Sequence, residues 1–212
     1  MSRADAEVLW EVACGLARTA AEVSRAPALP PLLFFTDPVR TPRPWETAAR
    51  LPRGAGVVYR HFGAPDASAT AVRLRELTRP RGVRLLIGLD DELAADVGAD
   101  GVHLPERALH RAAALAARRP GWLITGAAHG AEALAPIPGL QASVLSPVFP
   151  AGGASADRTA LGAAQFRAFV AGAARPVWAL GGITAANAGE LVGTGACGLA
   201  AVGSIAAAFG PG

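Results

Sequence analysis

The sequence predicts an α/β chain closed into a (β/α)8 barrel, with an extra helix ahead of it. Three observations carry that expectation. Short apolar runs of strand character alternate with helix-compatible stretches, and eight such pairs follow residue 31. Strict alternation implies a parallel sheet, and eight units imply a closed one. The 212 residues, 51% of them hydrophobic, are enough for one domain of that size. The last two runs, 176–180 and 198–202, each stop at a small flexible pair, Gly181-Gly182 and Gly203-Ser204, before a helix-compatible stretch. In this barrel class the loops after strands 7 and 8 often hold a phosphate. A doubly wound open sheet is the alternative, but it needs fewer units and a clear switch point.

In chain order, residues 6–23 place Val8, Leu9, Ala13, Leu16 and Ala20 close to helical spacing, and 25–31 breaks that helix. Residues 1–31 are therefore read as an N-terminal helix and linker, and 32–212 as the barrel. The first unit pairs the apolar run 32–36 with a weak helix over 45–51, across a proline-rich loop. Strands at 57–60, 83–87 and 101–104 are paired with helices at 67–78, 91–97 and 106–118. Strands at 122–126 and 142–145 are paired with 131–135 and, after a long loop at 146–161, with 162–170. In the seventh unit Thr184 is the expected N-cap of the following helix, and in the eighth 205–209 opens a helical turn.

Composition excludes several functions. The twenty basic residues are all arginine, so Schiff-base chemistry on lysine is unavailable. A net charge of +3 from scattered arginines gives no footprint for nucleic acid. The N-terminal stretch carries Arg3, Asp5, Glu7 and Glu11 and lacks the apolar core of a signal peptide, and the uncharged C-terminal run is broken by glycine. No membrane association is expected. Cys14 and Cys197 read as free thiols in a reducing compartment, and the expected location is the cytoplasm.

Glycines at 181, 182 and 203 let a ligand approach the backbone, and helix N-termini offer unpaired N–H groups, so Gly181, Gly182, Gly203 and Ser204 are the candidate phosphate cradle. Arg60 stands at the carboxyl end of strand 2, where a guanidinium binds a phosphate or a carboxylate. His61 beside it points the other way by strand alternation. His103 reads as a hydrogen-bonded structural residue and His110 as an exposed one.

Five segments together resemble a known family: Leu33-Phe34-Phe35-Thr36-Asp37, the run 98–104 (GADGVHL), the run 145–150 (LSPVFP), Leu180-Gly181-Gly182-Ile183 and the run 201–205 (AVGSI). They are similar, in order, to thiamine phosphate synthase and its relative thiazole tautomerase. The resemblance implies a thiazole phosphate ligand seated on the last two βα loops, with Ser146, Arg60 and Arg158 as further substrate-binding residues. A small phosphorylated thiazole is the expected partner; oligomerisation is left open.

The departures narrow the reaction. The family's glutamine, arginine and lysine after strand 2 fall at Val58, Arg60 and Phe62, and its two inferred magnesium ligands fall at Leu89 and Ala108. Asp90, Asp91 and Glu106 are the nearby carboxylates that would substitute, and otherwise serve helix N-termini. No cofactor is expected, and Mg²⁺ only if synthase activity is retained. His129, after strand 5 in the run 124–130 (ITGAAHG), resembles the tautomerase histidine, and an imidazole of pKa ~6.5 can remove and return a proton at neutral pH. The expected function is thus a tautomerase-like enzyme on thiazole phosphate. The alternatives are a Mg²⁺-dependent synthase with substituted ligands and a non-catalytic phosphate-binding barrel.

Overall fold

A computed structural model describes residues 3–23, 29–153 and 157–211. Eight parallel strands close in sequence order, β1 (Leu32–Phe35), β2 (Gly56–Tyr59), β3 (Arg84–Gly88), β4 (Gly101–Leu104), β5 (Leu123–Ala128), β6 (Ala142–Leu145), β7 (Val177–Leu180) and β8 (Gly198–Ala201), with β8 returning to β1. The register opposes Leu33 to Gly56 on one side of β1 and to Ala200 on the other.

Strand alternation splits the core in two. Leu32, Phe34, Val57, Leu85, Ile87 and Val102 pack outward beneath the helices. Leu33, Phe35, Val58, Leu86, Trp178 and Ala200 fill the inside. Burial on both faces explains why the strands read as continuous apolar runs. The barrel is therefore a packed plug, and ligands are confined to the ends.

Helices α1 (Arg3–Val23), α2 (Pro44–Ala48), α3 (Ala67–Thr78), α4 (Asp91–Asp96), α5 (Ala112–Arg118), α6 (Gly162–Ala171) and α7 (Gly203–Phe209) surround the strands. α1 buries Leu9, Ala13 and Leu16, one stripe at helical spacing, and packs on β8, β1 and α7. Behind it the Trp178 indole donates to the Pro30 carbonyl at 2.8 Å, and Leu29 packs on the inner core. The chain ahead of β1 thus contributes to the inner packing.

Three expected helices are corrected. The stretch 106–118 divides into a 3-10 turn, Glu106–Arg111, and α5; 131–135 shrinks to a 3-10 turn at Glu132–Leu134. After β7 there is a 3-10 turn at Ala188–Leu191, so Thr184 caps no α-helix. Its N–H donates instead to Asn187 Oδ1 at 2.8 Å, while Asn187 Nδ2 donates to the Gly182 carbonyl at 2.9 Å. Asn187 ties that loop back on itself, and Gly189, Gly193 and Gly195 deny it helix propensity.

Candidate active site at the carboxyl end of the barrel

The loops that follow the strands' carboxyl ends carry every candidate residue. On the β7 side Gly181 and Gly182 have φ of +103° and +65°. A Cβ on Gly182 would stand 2.4 Å from the Pro150 carbonyl oxygen and 2.8 Å from Phe149, so glycine is required there by its neighbours and its backbone alike. On the β8 side Gly203 opens α7, and a Cβ there would meet nothing within 4 Å. Next to it the Ser204 hydroxyl is buried with no hydrogen-bond partner. The orphaned hydroxyl and the unpaired first-turn N–H groups beside open space are donors from which an oxyanion could accept.

Arg60 follows β2 and faces the mouth. Its backbone N–H donates to Thr36 Oγ1 at 2.9 Å and its Nε to the Thr36 carbonyl at 2.8 Å. Its Nη2 is buried without a partner. Burial, above all, lowers the guanidinium pKa to about 10, with Asp37 opposing and Arg40 adding to the shift. It remains a cation at neutral pH.

His103 lies inside, its Nδ1 2.9 Å from Thr125 Oγ1 and its ring edge-on to Phe35 at 5.0 Å. Burial first, then Arg60 and His129, push its pKa down to about 3. It is a neutral structural imidazole, as expected. His61 turns away from Arg60 toward Asp90, at 3.4 Å, and His110 is exposed.

His129 follows β5 directly. Its Nδ1 is 2.9 Å from the Ser146 carbonyl oxygen and 3.3 Å from Ser146 Oγ. A carbonyl only accepts, so Nδ1 carries the proton and Nε2 is left as the basic nitrogen. Ser146 is itself buried after β6, its N–H bonded to the Ala128 carbonyl, and its peptide bond to Pro147 is cis. Arg158 sits on the β6–α6 loop with its side chain exposed.

Two residues whose contacts the sequence did not show hold this arrangement. Thr36 grips Arg60 twice, and Glu106 Oε2 accepts the His129 backbone N–H at 3.0 Å. A threonine ending β1 is a visible signal; the reach of Glu106 across from β4 to the loop after β5 is not.

Magnesium is the test case for an implied ion. Val58 and Ala108 are buried, and Leu89 is at φ +67°, its N–H bonded to the His103 carbonyl. The neighbouring carboxylates are engaged elsewhere. Asp90 Oδ1 caps α4 by accepting from Leu93 N–H, Asp91 pairs with Arg111 and Arg118, and Glu106 holds His129. Among the described residues no three metal-capable side chains gather in one place. These residues do not fit a magnesium diphosphate site.

Residues 47–205 match the family described as thiamine monophosphate synthase. The chain belongs to that family. It is 34% identical over 143 residues to a thiamine-phosphate synthase of Methanoculleus marisnigri, covering 66% of this chain and 67% of the relative. It is 32% identical over 171 residues to that of Laribacter hongkongensis, covering 78% and 80%. The fold superimposes on a thiamine phosphate pyrophosphorylase from Pyrococcus furiosus with a TM-score of 0.68 and 25% identity, over 84% of this chain and 91% of the other. Membership places this barrel in thiamine biosynthesis. No helix among the described residues is long and apolar enough to cross a membrane.

Proposed function

We propose that this family member is an enzyme that binds a thiazole phosphate through the loops after β7 and β8. The observation that carries this is the buried, unpartnered Ser204 hydroxyl beside the open position at Gly203. An anion there would take the hydroxyl and the N–H groups of α7's first turn, with Gly181 and Gly182 shaping the facing wall.

Two reactions on that ligand divide the support. The relatives' names favour the synthase, which joins the thiazole phosphate to a pyrimidine diphosphate, and the comparisons thus stand behind that reading more than behind a tautomerase. The side chains of this mouth favour proton transfer, because the positions that would hold magnesium are apolar or engaged. The specific observation for proton transfer is His129. With Nδ1–H bonded to the Ser146 carbonyl, Nε2 is free to take a proton from a ring carbon and return it at another, with no metal in the step.

The deciding experiment is turnover of purified protein under two conditions. One supplies thiazole phosphate with pyrimidine diphosphate and Mg²⁺, and thiamine phosphate formed at rates typical of enzymes, ~1 s⁻¹ or more, establishes the synthase and refutes the proton-transfer reading. The other supplies a thiazole phosphate tautomer alone, and interconversion without metal establishes proton transfer. Absence of both, together with absence of thiazole phosphate binding by calorimetry, overturns the proposal as a whole.

A further inference from the structure

The end of the barrel opposite the mouth carries charge that nothing beside it neutralises. The strands run parallel, so the loops entering β2 (49–55) and β3 (79–83) lie together at the strands' amino ends. Arginines that the sequence scatters are gathered there: Arg53 on the first loop, Arg79 and Arg81 on the second, and Arg84 opening β3. The two loops form one platform, in which Gly54 N–H donates to the Gly82 carbonyl at 2.9 Å and Arg84 N–H to the Ala55 carbonyl at 3.0 Å. The Arg53 side chain crosses from one loop to the other, for a Cβ on Gly82 would stand 3.1 Å from its Cζ and 3.2 Å from its Nη1. Arg53, Arg79 and Arg81 are exposed, and Arg84 is half-buried. None of the four makes an ion pair among the described residues. Asp100, on the neighbouring loop into β4, is taken by Arg75 and by the Leu85 N–H, at 2.8 Å each, and Glu76 in the last turn of α3 pairs with none of them.

We propose that this platform is a docking surface for the phosphate backbone of a nucleic acid, bound without regard to sequence. Four like charges held on two hydrogen-bonded loops repel one another, and a ligand whose negative charges are equally dense relieves that repulsion. Guanidinium forks meet phosphate oxygens in paired bonds, and the loop backbone that carries them is ordered before the partner arrives. A docked protein fits less well. Protein interfaces need apolar or aromatic anchors at their centre, and none of the exposed large apolar side chains, Val8, Val39, Phe62, Val72 and Val192, stands on these loops. The loops carry no aromatic ring on which a base could stack, so the contact is with phosphate rather than with bases. Scattered along the sequence, the arginines give no footprint for nucleic acid; on the fold, four of them make one. The platform stands at the other end of the barrel from His129 and Ser204, and the inference does not depend on the reaction proposed there.

The test is fluorescence anisotropy of a labelled random-sequence DNA duplex, titrated with the full chain across a salt series. Neutralising about three or four phosphates gives log K a slope of ~−3 to −4 against log salt, so affinity should fall ~40- to 150-fold between ~50 and ~200 mM salt. Arg53→Ala and Arg81→Ala are each expected to flatten that slope by ~1 and to weaken binding at ~50 mM salt. Arg167→Ala removes the same charge from an exposed position on α6 and should leave the slope unchanged. Thermal melts of the same samples show that the variants, all changed at exposed side chains, are folded. No binding by the wild type at ~50 mM salt, or a slope that falls as much in Arg167→Ala as in Arg53→Ala, overturns the inference. Poly-glutamate that binds as tightly as the duplex at equal charge overturns the assignment to phosphate. Vesicles of anionic phospholipid that bind more tightly than the duplex overturn the assignment to nucleic acid.

Discussion

The phosphate cradle is best tested at Gly203, and the reason lies in the difference between two glycines. A side chain at Gly182 would drive into Pro150 and Phe149 from a left-handed backbone, so Gly182→Val displaces the β6–α6 loop and lowers stability whatever the ligand does. At Gly203 a Cβ meets nothing within 4 Å and the backbone is not left-handed. The cost to the fold of Gly203→Val is therefore only a propensity difference, within ~1 kcal/mol and favouring valine over glycine in a helix. Its effect on an anion is larger. A phosphate resting on the first-turn N–H groups makes charge-assisted bonds of ~1.5–3 kcal/mol each, and a valine side chain in the open space denies it at least one. Thiazole phosphate affinity should fall by ~10- to 150-fold. Calorimetry gives the affinity and a thermal melt of the same samples shows that the variant is folded. Affinity within twofold of wild type, in a variant with an unchanged melt, would remove the phosphate from these loops.

Three further outcomes are expected. In His129→Ala, thiazole phosphate binding should stay within a few-fold of wild type and proton-transfer turnover should drop by ~10²-fold or more, read by single-turnover kinetics; normal turnover would take the base away from His129. Glu106→Ala frees the His129 backbone N–H and should lower turnover at unchanged binding, whereas Glu106→Gln keeps an acceptor and should restore it; equal effects of the two would show that the bond to His129 is not what matters. His103 is depressed to about 3, so between that pH and ~6.5 the unfolded chain binds a proton that the folded chain refuses, and stability must rise with pH across that window. From pH 6.5 down to 5 the wild type should lose ~1–2 kcal/mol more than His103→Asn in urea titrations; parallel slopes would place the neutral imidazole elsewhere.

How much of this was legible in the sequence follows from the range of the interactions involved. The barrel was readable because the strands are buried on both faces and so appear as local apolar runs, and because helix-compatible stretches alternate with them in chain order. Gly181, Gly182, Gly203, Ser204, Arg60 and His129 were readable as candidates because a strand end fixes where the next residue lies. What the sequence hid was pairing across strands. Glu106 looked like a helix N-terminal carboxylate and proves to hold a loop twenty-three residues on. Thr184 looked like an N-cap, but the local glycines give a helix nothing to propagate, and only a 3-10 turn at Ala188–Leu191 follows. Phe62 read as a missing lysine, and only the coordinates show it lying over Arg60.

These features give the two halves of one ring of loops different chemistry. The β7 loop holds Gly181 and Gly182 in left-handed backbone geometry, with the Gly182 carbonyl tied down by Asn187, and the β8 side carries an unpaired hydroxyl at Ser204. The β2 loop carries a guanidinium beneath Phe62; Leu89 and Ala108 stand on the β3 and β4 loops, and the carboxylates of these loops serve a helix cap, ion pairs and a loop tether. A diphosphate ligand there would meet Arg60 but no free magnesium-holding carboxylates among the described residues, although departure of a diphosphate demands that the developing charge be neutralised. His129 stands on the β5 loop with Nδ1 bonded to a backbone carbonyl, and the proton transfer proposed for it needs neither metal nor diphosphate. If the proposed thiazole phosphate sits in this mouth, proton transfer at His129 is the step its side chains support without a metal.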